Sequence, residues 1–155
     1  MAHPQTPGGA AGPDRPAASP ARLPVFQHTV TDDRHALREL RRDLHSWLLD
    51  KGANGRTADA VVLACSEAVA NGLEHGLQGT PDASVTVRGV LDAGTLTLRV
   101  ENPGGWDRTP SQSYRGHGLL LMERLMDAVE VSTGAGTVVT MQRRLSPDGT
   151  AGPRA

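Results

Sequence analysis

Glu67, Asn71 and His75 stand four residues apart in the stretch Cys65-Ser66-Glu67-Ala68-Val69-Ala70-Asn71-Gly72-Leu73-Glu74-His75-Gly76, and Glu74 lies three beyond Asn71. Side chains three or four apart share one face of a helix. The spacing therefore predicts a stripe carrying a carboxylate, an amide and an imidazole. The opposite stripe, Val61, Ala64 or Cys65, Ala68 and Leu73, suits packing on a sheet. A carboxylate beside an amide can do two jobs together. The amide oxygen can join waters and phosphates around a hard cation such as magnesium, and the carboxylate can orient or deprotonate a hydroxyl or a water. A plain solvated helix face has the same spacing. Gly72 and Gly76 count against it, because glycine inside a helix costs about 1 kcal/mol relative to alanine and is tolerated where backbone or ligand must come close.

The elements that would position this stripe follow from periodicity and punctuation. Val25 to Val30 has the composition of a strand. Thr31 fits an N-cap, with Asp32 and Asp33 at the positive helix end. Ala36, Leu37, Leu40, Leu44, Trp47 and Leu48 then repeat at three-four spacing, an amphipathic helix that Lys51-Gly52 ends. Its outer face, with Arg34, Arg38, Glu39, Arg41, Arg42 and Asp43, reads as a salt-bridged solvent surface or a docking face for a protein. Thr57 is the expected cap of the second helix, which holds the central stretch and runs to about Leu77. A loop over 78–82 leads to two alternating runs, Ser84 to Val90 and Thr95 to Asn102, joined at Asp92-Ala93-Gly94 as an antiparallel hairpin. Asn102 is in phase with the buried row Leu96, Leu98, Val100, just where the strand ends, which makes it a candidate ligand contact.

Pro103-Gly104-Gly105-Trp106 breaks the strand, and the polar run from Asp107 to Arg115 has no periodicity, as in lids and binding loops. Gly116-His117-Gly118 follows, before a helix from Leu119 to Met126. Bare backbone N–H groups at a helix start can hold a phosphate, although Gly-x-Gly also occurs in plain turns. Two strands close the pattern, Val129 to Ser132 and Thr137 to Arg144, joined by Gly134-Ala135-Gly136.

Composition narrows the classes. A net charge of −1 and a pI of about 6.6 give no reason to expect nucleic acid or an anionic membrane as partner. The single cysteine, Cys65, rules out an intrachain disulfide and reads as a small buried residue in a reducing compartment. With no apolar run near the ~20 residues of a membrane span and no apolar signal core, a soluble cytoplasmic protein is expected. Residues 1–24, rich in Pro, Ala and Gly, and residues 146–155 are expected to be disordered tails around a domain at 25–145.

The order of the motifs is more specific than any one of them. A helix with Glu-x-x-x-Asn precedes a hairpin ending in a polar residue before Gly-Gly. A polar lid, Gly-x-Gly-Leu, a helix and a last strand opening Gly-Thr follow. This resembles the nucleotide-binding fold of the GHKL ATPases, and Glu-Ala-Val-Ala-Asn-Gly-Leu-Glu-His-Gly is most similar to the anti-sigma-factor serine kinase branch. The resemblance implies an α+β fold, a two-layer sandwich of a mixed, mostly antiparallel sheet with about three helices on one face. It implies ATP and Mg2+ as ligands, with Asn71 holding the metal and Glu67 as general base. Asn102 stands at the adenine position, Gly104 lets the base approach, Gly116, His117 and Gly118 cradle phosphates, and Thr137 lies near adenine. The implied partners are a sigma factor or a serine-bearing anti-sigma antagonist, and the implied assembly is a homodimer. One position departs from the pattern. The family usually has Asp where this chain has Asn102, and a hydrogen bond to a charged group contributes about 1.5–3 kcal/mol against about 1 for a neutral one. The substitution therefore points to affinity reduced by about tenfold or more. The rival reading is a module that sequesters a protein partner without turnover.

Overall fold

The computed structural model describes residues 23–31, 34–76, 84–103 and 115–145. Residues 1–22 of the expected tail at 1–24, the expected tail at 146–155, the loop at 78–82, residues 107–114 of the expected lid and Gly104 lie outside the described residues.

The elements run β1 (Val25–Val30), α1 (Arg34–Asp50), α2 (Gly55–Gly76), β2 (Val85–Asp92), β3 (Thr95–Asn102), α3 (Arg115–Leu125), β4 (Ala128–Thr133) and β5 (Thr137–Arg144). The α+β arrangement read from the sequence is the one observed. The five strands form one sheet in the order β1-β2-β3-β5-β4, and every pairing in it is antiparallel. The helices cover one face, and β3 lies at the centre.

Alternation decides which side chains that face buries. Val87 pairs with Val100 and Val100 with Val139, while Leu98 pairs with Met141, so buried side chains form rows across the strands. Leu40, Leu44 and Leu48 of α1 complete the core with Val61, Ala64, Cys65, Ala68 and Val69 of α2. Fully burying a leucine contributes about 1.5–3 kcal/mol, and these positions are at or near zero exposure. The indole of Trp47 packs on Phe26, with ring centroids 5.7 Å apart, which ties α1 to β1.

The junction between α1 and α2 is set by backbone chemistry. Gly52 has φ +89°. Its N–H donates to the Leu49 carbonyl and that of Ala53 to the Leu48 carbonyl, both at 3.0 Å. This is the paired bonding of a Schellman cap. The side-chain oxygen of Asn54 then accepts from the Thr57 N–H at 2.9 Å, so the cap expected at Thr57 is at Asn54. Thr57 is instead buried in the first turn. The first helix is described from Arg34, and Asp32 and Asp33 lie outside the described residues. The β2–β3 hairpin turns on Ala93 and Gly94, at φ +47° and +77°. Positive φ at both central residues is the pattern of a type I′ turn, whose twist suits a two-residue hairpin. On the outer face of α1, Arg42 pairs with Asp43 at 3.0 Å, and Arg41 reaches the Ser66 hydroxyl of α2 at 3.0 Å.

Candidate functional site

Glu67 and Asn71 lie one turn apart on α2, both half-buried, on the side that meets α3. Glu74 is exposed, and the side chain of His75 is outside the described residues. Gly118 is buried against the pair. A Cβ added to it would stand 2.6 Å from Glu67 Oε1 and 3.1 Å from Asn71 Nδ2. Glycine lets the backbone of α3 come this close with both side chains in place, whereas a Cβ would push the Glu67 carboxylate aside. The Gly-x-Gly triplet does not precede the helix as expected, because α3 begins at Arg115 and Gly116, His117 and Gly118 form part of its opening. Glycine is tolerated there because the first N–H groups of a helix have no intrahelical acceptor. Those N–H groups remain the positive end of a helix, and Gly118 sets that end beside Glu67 and Asn71. His117 is exposed.

The second half of the site comes from the sheet. Asn102 continues the inward row Leu96, Leu98, Val100 and is 5% exposed. Its Nδ2 donates to the Gly72 carbonyl of α2 at 3.0 Å. Thr137 pairs with Asn102 across β3 and β5 and is likewise 5% exposed. Its hydroxyl oxygen is buried and has no hydrogen-bond partner among the described residues. Such groups are rare in native structures, and a bound ligand is one explanation.

A narrow cavity joins the two halves. Asn71, Gly72, Asn102 and Thr137 line it, with Ala68, Val100, Met122 and Val139 as its apolar walls. The structure thus brings Asn71, Asn102 and Thr137 to one cavity, with Glu67 and Gly118 beside Asn71. A wider groove opens at the same end of the sheet, lined by Ser84, Thr86, Glu101, Val138 and the β4–β5 turn. It shares Asn102 with the narrow cavity but contains none of Glu67, Asn71, Gly118 and Thr137, so its size does not make it the site.

The sequence reading missed Met122 as a cavity wall and the Gly72 carbonyl as the partner of Asn102. The interior glycine was the available signal for the second. A Cβ at Gly72 would approach Val85 Cγ2 to 3.0 Å, so this glycine also lets α2 lie close to the sheet. Cys65 is buried, and burial pushes its thiol up to about 12. It is a core residue, as expected. Among the described residues no three of His, Cys, Asp and Glu gather as a metal cluster.

The donor set nonetheless fits a nucleotide with its cation. It combines an amide and a carboxylate beside a glycine-rich helix start, an apolar slot, and an orphaned hydroxyl with an amide at the slot's end. A family model for the histidine kinase-like ATPase domain matches residues 30–143. The chain belongs to this family. It is 35% identical over 95 residues to an anti-sigma F factor of Halalkalibacterium halodurans and 29% identical over 96 residues to that of Heyndrickxia coagulans. Each match covers 52% of this chain and 65% of the relative, so the chain spans less than two-thirds of the length of these relatives. Among solved structures it is similar to the RsbU and RsbW domains of Rv1364c from Mycobacterium tuberculosis. That match has a TM-score of 0.65 and 29% identity, and covers 81% of this chain and 33% of the other. No helix among the described residues is long and apolar enough to cross a membrane.

Proposed function

We propose that this chain is an ATP-binding anti-sigma regulator that phosphorylates a serine of a small antagonist protein. The observation that carries this reading is the single cavity that joins Asn71 of α2 to Asn102 and Thr137 of the sheet, with Glu67 and Gly118 at its α3 side. The similarity to anti-sigma F factors supports the partner class.

In this reading the base enters the slot between Val100, Met122 and Val139, at Asn102 and Thr137. The phosphates lie toward the α3 N-terminus, near Gly116, His117 and Gly118. Asn71 offers its amide oxygen to magnesium, which neutralises phosphate charge when bound. Gly104 and the lid border the base and the phosphates. Glu67 accepts the proton of the partner's serine hydroxyl as its oxygen bonds to the γ-phosphorus, while the bond from that phosphorus to the bridging oxygen breaks and ADP leaves. Phosphoryl transfer depends mainly on positioning and charge neutralisation, so side chains held between two helices and a sheet suit it. A homodimer in the cytoplasm, with a sigma factor as the alternate partner, completes the proposal.

The test is transfer of labelled phosphate from ATP to candidate antagonist proteins. Glu67→Ala should abolish transfer and leave nucleotide binding in place. Transfer that persists in Glu67→Ala removes Glu67 as the base. A second reading, a sequestering module without turnover, is favoured by Asn102 in place of the usual Asp. It predicts partner binding with no transfer in the unaltered chain.

A further inference from the structure

We propose that Ser66, held by Arg41 of α1, is a positioning residue that sets the turn of α2 bearing Glu67. The inference rests on the reading of Glu67 as the base and goes beyond it, because it gives a role to a side chain that faces α1 instead of the cavity. Between Ala58 and Val69 the other buried side chains of α2 are apolar, whereas Ser66 is 6% exposed and polar. A buried hydroxyl needs partners, and Ser66 has two. Its Oγ donates to the Val62 carbonyl at 2.7 Å and accepts from Arg41 Nε at 3.0 Å. A hydroxyl has one proton, and Val62 takes it. Toward Arg41 the oxygen is therefore an acceptor only, which fixes the direction of the contact.

Both bonds act on the backbone next to Glu67. The Val62 carbonyl is also the helical acceptor of the Ser66 N–H, and a serine that bonds back to this carbonyl tends to bend its helix slightly. Arg41 pins that turn to α1. On the other flank, Gly118 of α3 lies against Glu67 Oε1 and Asn71 Nδ2. One turn is thus gripped between two helices, with the carboxylate on its α3 side. A second tie between α1 and α2 lacks this feature. His45 Nε2 meets Asp59 Oδ1 at 3.2 Å, between exposed side chains and about two turns before Glu67. It joins the same two helices without holding the turn of the base. The two ties therefore separate positioning from plain helix attachment.

The experiment measures transfer of labelled phosphate from ATP with magnesium to the antagonist protein that the unaltered chain phosphorylates, in Ser66→Ala, Arg41→Met and Asp59→Asn. In isotope-labelled chains the carboxyl carbon resonance of Glu67, assigned with Glu67→Gln, is followed by NMR. Ser66→Ala and Arg41→Met should lower kcat by about tenfold or more, as small misplacements of a reacting group do. They should leave the KM for ATP unchanged and move the Glu67 resonance. Arg41 is exposed, so Arg41→Met keeps the test decisive if Ser66→Ala folds poorly. Asp59→Asn should change neither kcat nor the resonance. Transfer at the original rate in either Ser66→Ala or Arg41→Met, or a fall in kcat with the Glu67 resonance unmoved, overturns the inference and leaves Glu67 as the base. So does an equal fall in Asp59→Asn. Absence of transfer by the unaltered chain to every antagonist tested overturns the kinase reading itself, and the inference with it.

Discussion

Gly52 closes α1 and Gly118 sits in the opening turn of α3, and the two glycines answer different demands. Gly52 is needed for its backbone. Its φ of +89° is one that side chains rarely adopt, yet a Cβ there would meet nothing within 4 Å. Gly118 is needed for its size, since its Cβ would meet Glu67 Oε1 and Asn71 Nδ2. The first belongs to the scaffold and shapes a helix end whatever the chain does. The second holds two elements close around polar side chains that the core does not require. The same contrast separates the leucine layer of α1, which is fully buried, from the end of the sheet, where Thr137 keeps a buried hydroxyl without a partner among the described residues.

Substitutions can break or sharpen this contrast. Leu48→Ala has the largest expected effect. Leu48 has zero exposure, and truncating a buried leucine to alanine costs about 2–5 kcal/mol, to be read from urea denaturation. Gly52→Ala is expected to cost about 1–2 kcal/mol by forcing a left-handed backbone on a Cβ, with nucleotide affinity of the folded protein unchanged. Loss of the Asn54 side-chain cap in Asn54→Ala should cost about 1 kcal/mol, again without touching affinity. Gly118→Ala should show the inverse pattern. The flexible end of Glu67 can move aside, so the denaturation midpoint shifts little while phosphate transfer falls. If Gly52→Ala and Gly118→Ala lower stability and transfer in the same proportion, the division between scaffold and site is wrong. The smallest effect is expected at Cys65. With its thiol pushed up to about 12 by burial, it should not react with a thiol reagent at pH 8 until denaturant is added.

Much of this was legible in the sequence, for reasons that particular residues make clear. The Leu40-Leu44-Leu48 ladder has one physical solution, a helix buried on one side, and the alternation from Leu96 to Asn102 has another. Phase alone put Asn102 on the inward face. The sequence leaves the helix cap open between Asn54 and Thr57, which both suit the role, and only the Schellman geometry at Gly52 and Ala53 decides which residue comes next. Local pattern does not say that the Gly-x-Gly triplet lies inside α3, because the penalty for glycine in a helix interior hardly applies in the opening turn. Strand order was not legible. Nothing in the local pattern of β5 says that it inserts between β3 and β4, and that insertion is what sets Thr137 opposite Asn102. The bond from Asn102 to the Gly72 carbonyl was hidden for a related reason, since it depends on how closely α2 approaches the sheet.

Titration of the purified chain with ATP, with and without magnesium and alongside Asn71→Ala, tests the central claim most directly. The account predicts saturable binding that strengthens with magnesium and is lost in Asn71→Ala, with the melting temperature of that variant close to the original. Binding that is indifferent to magnesium and to Asn71, or no binding at millimolar ATP, would contradict it.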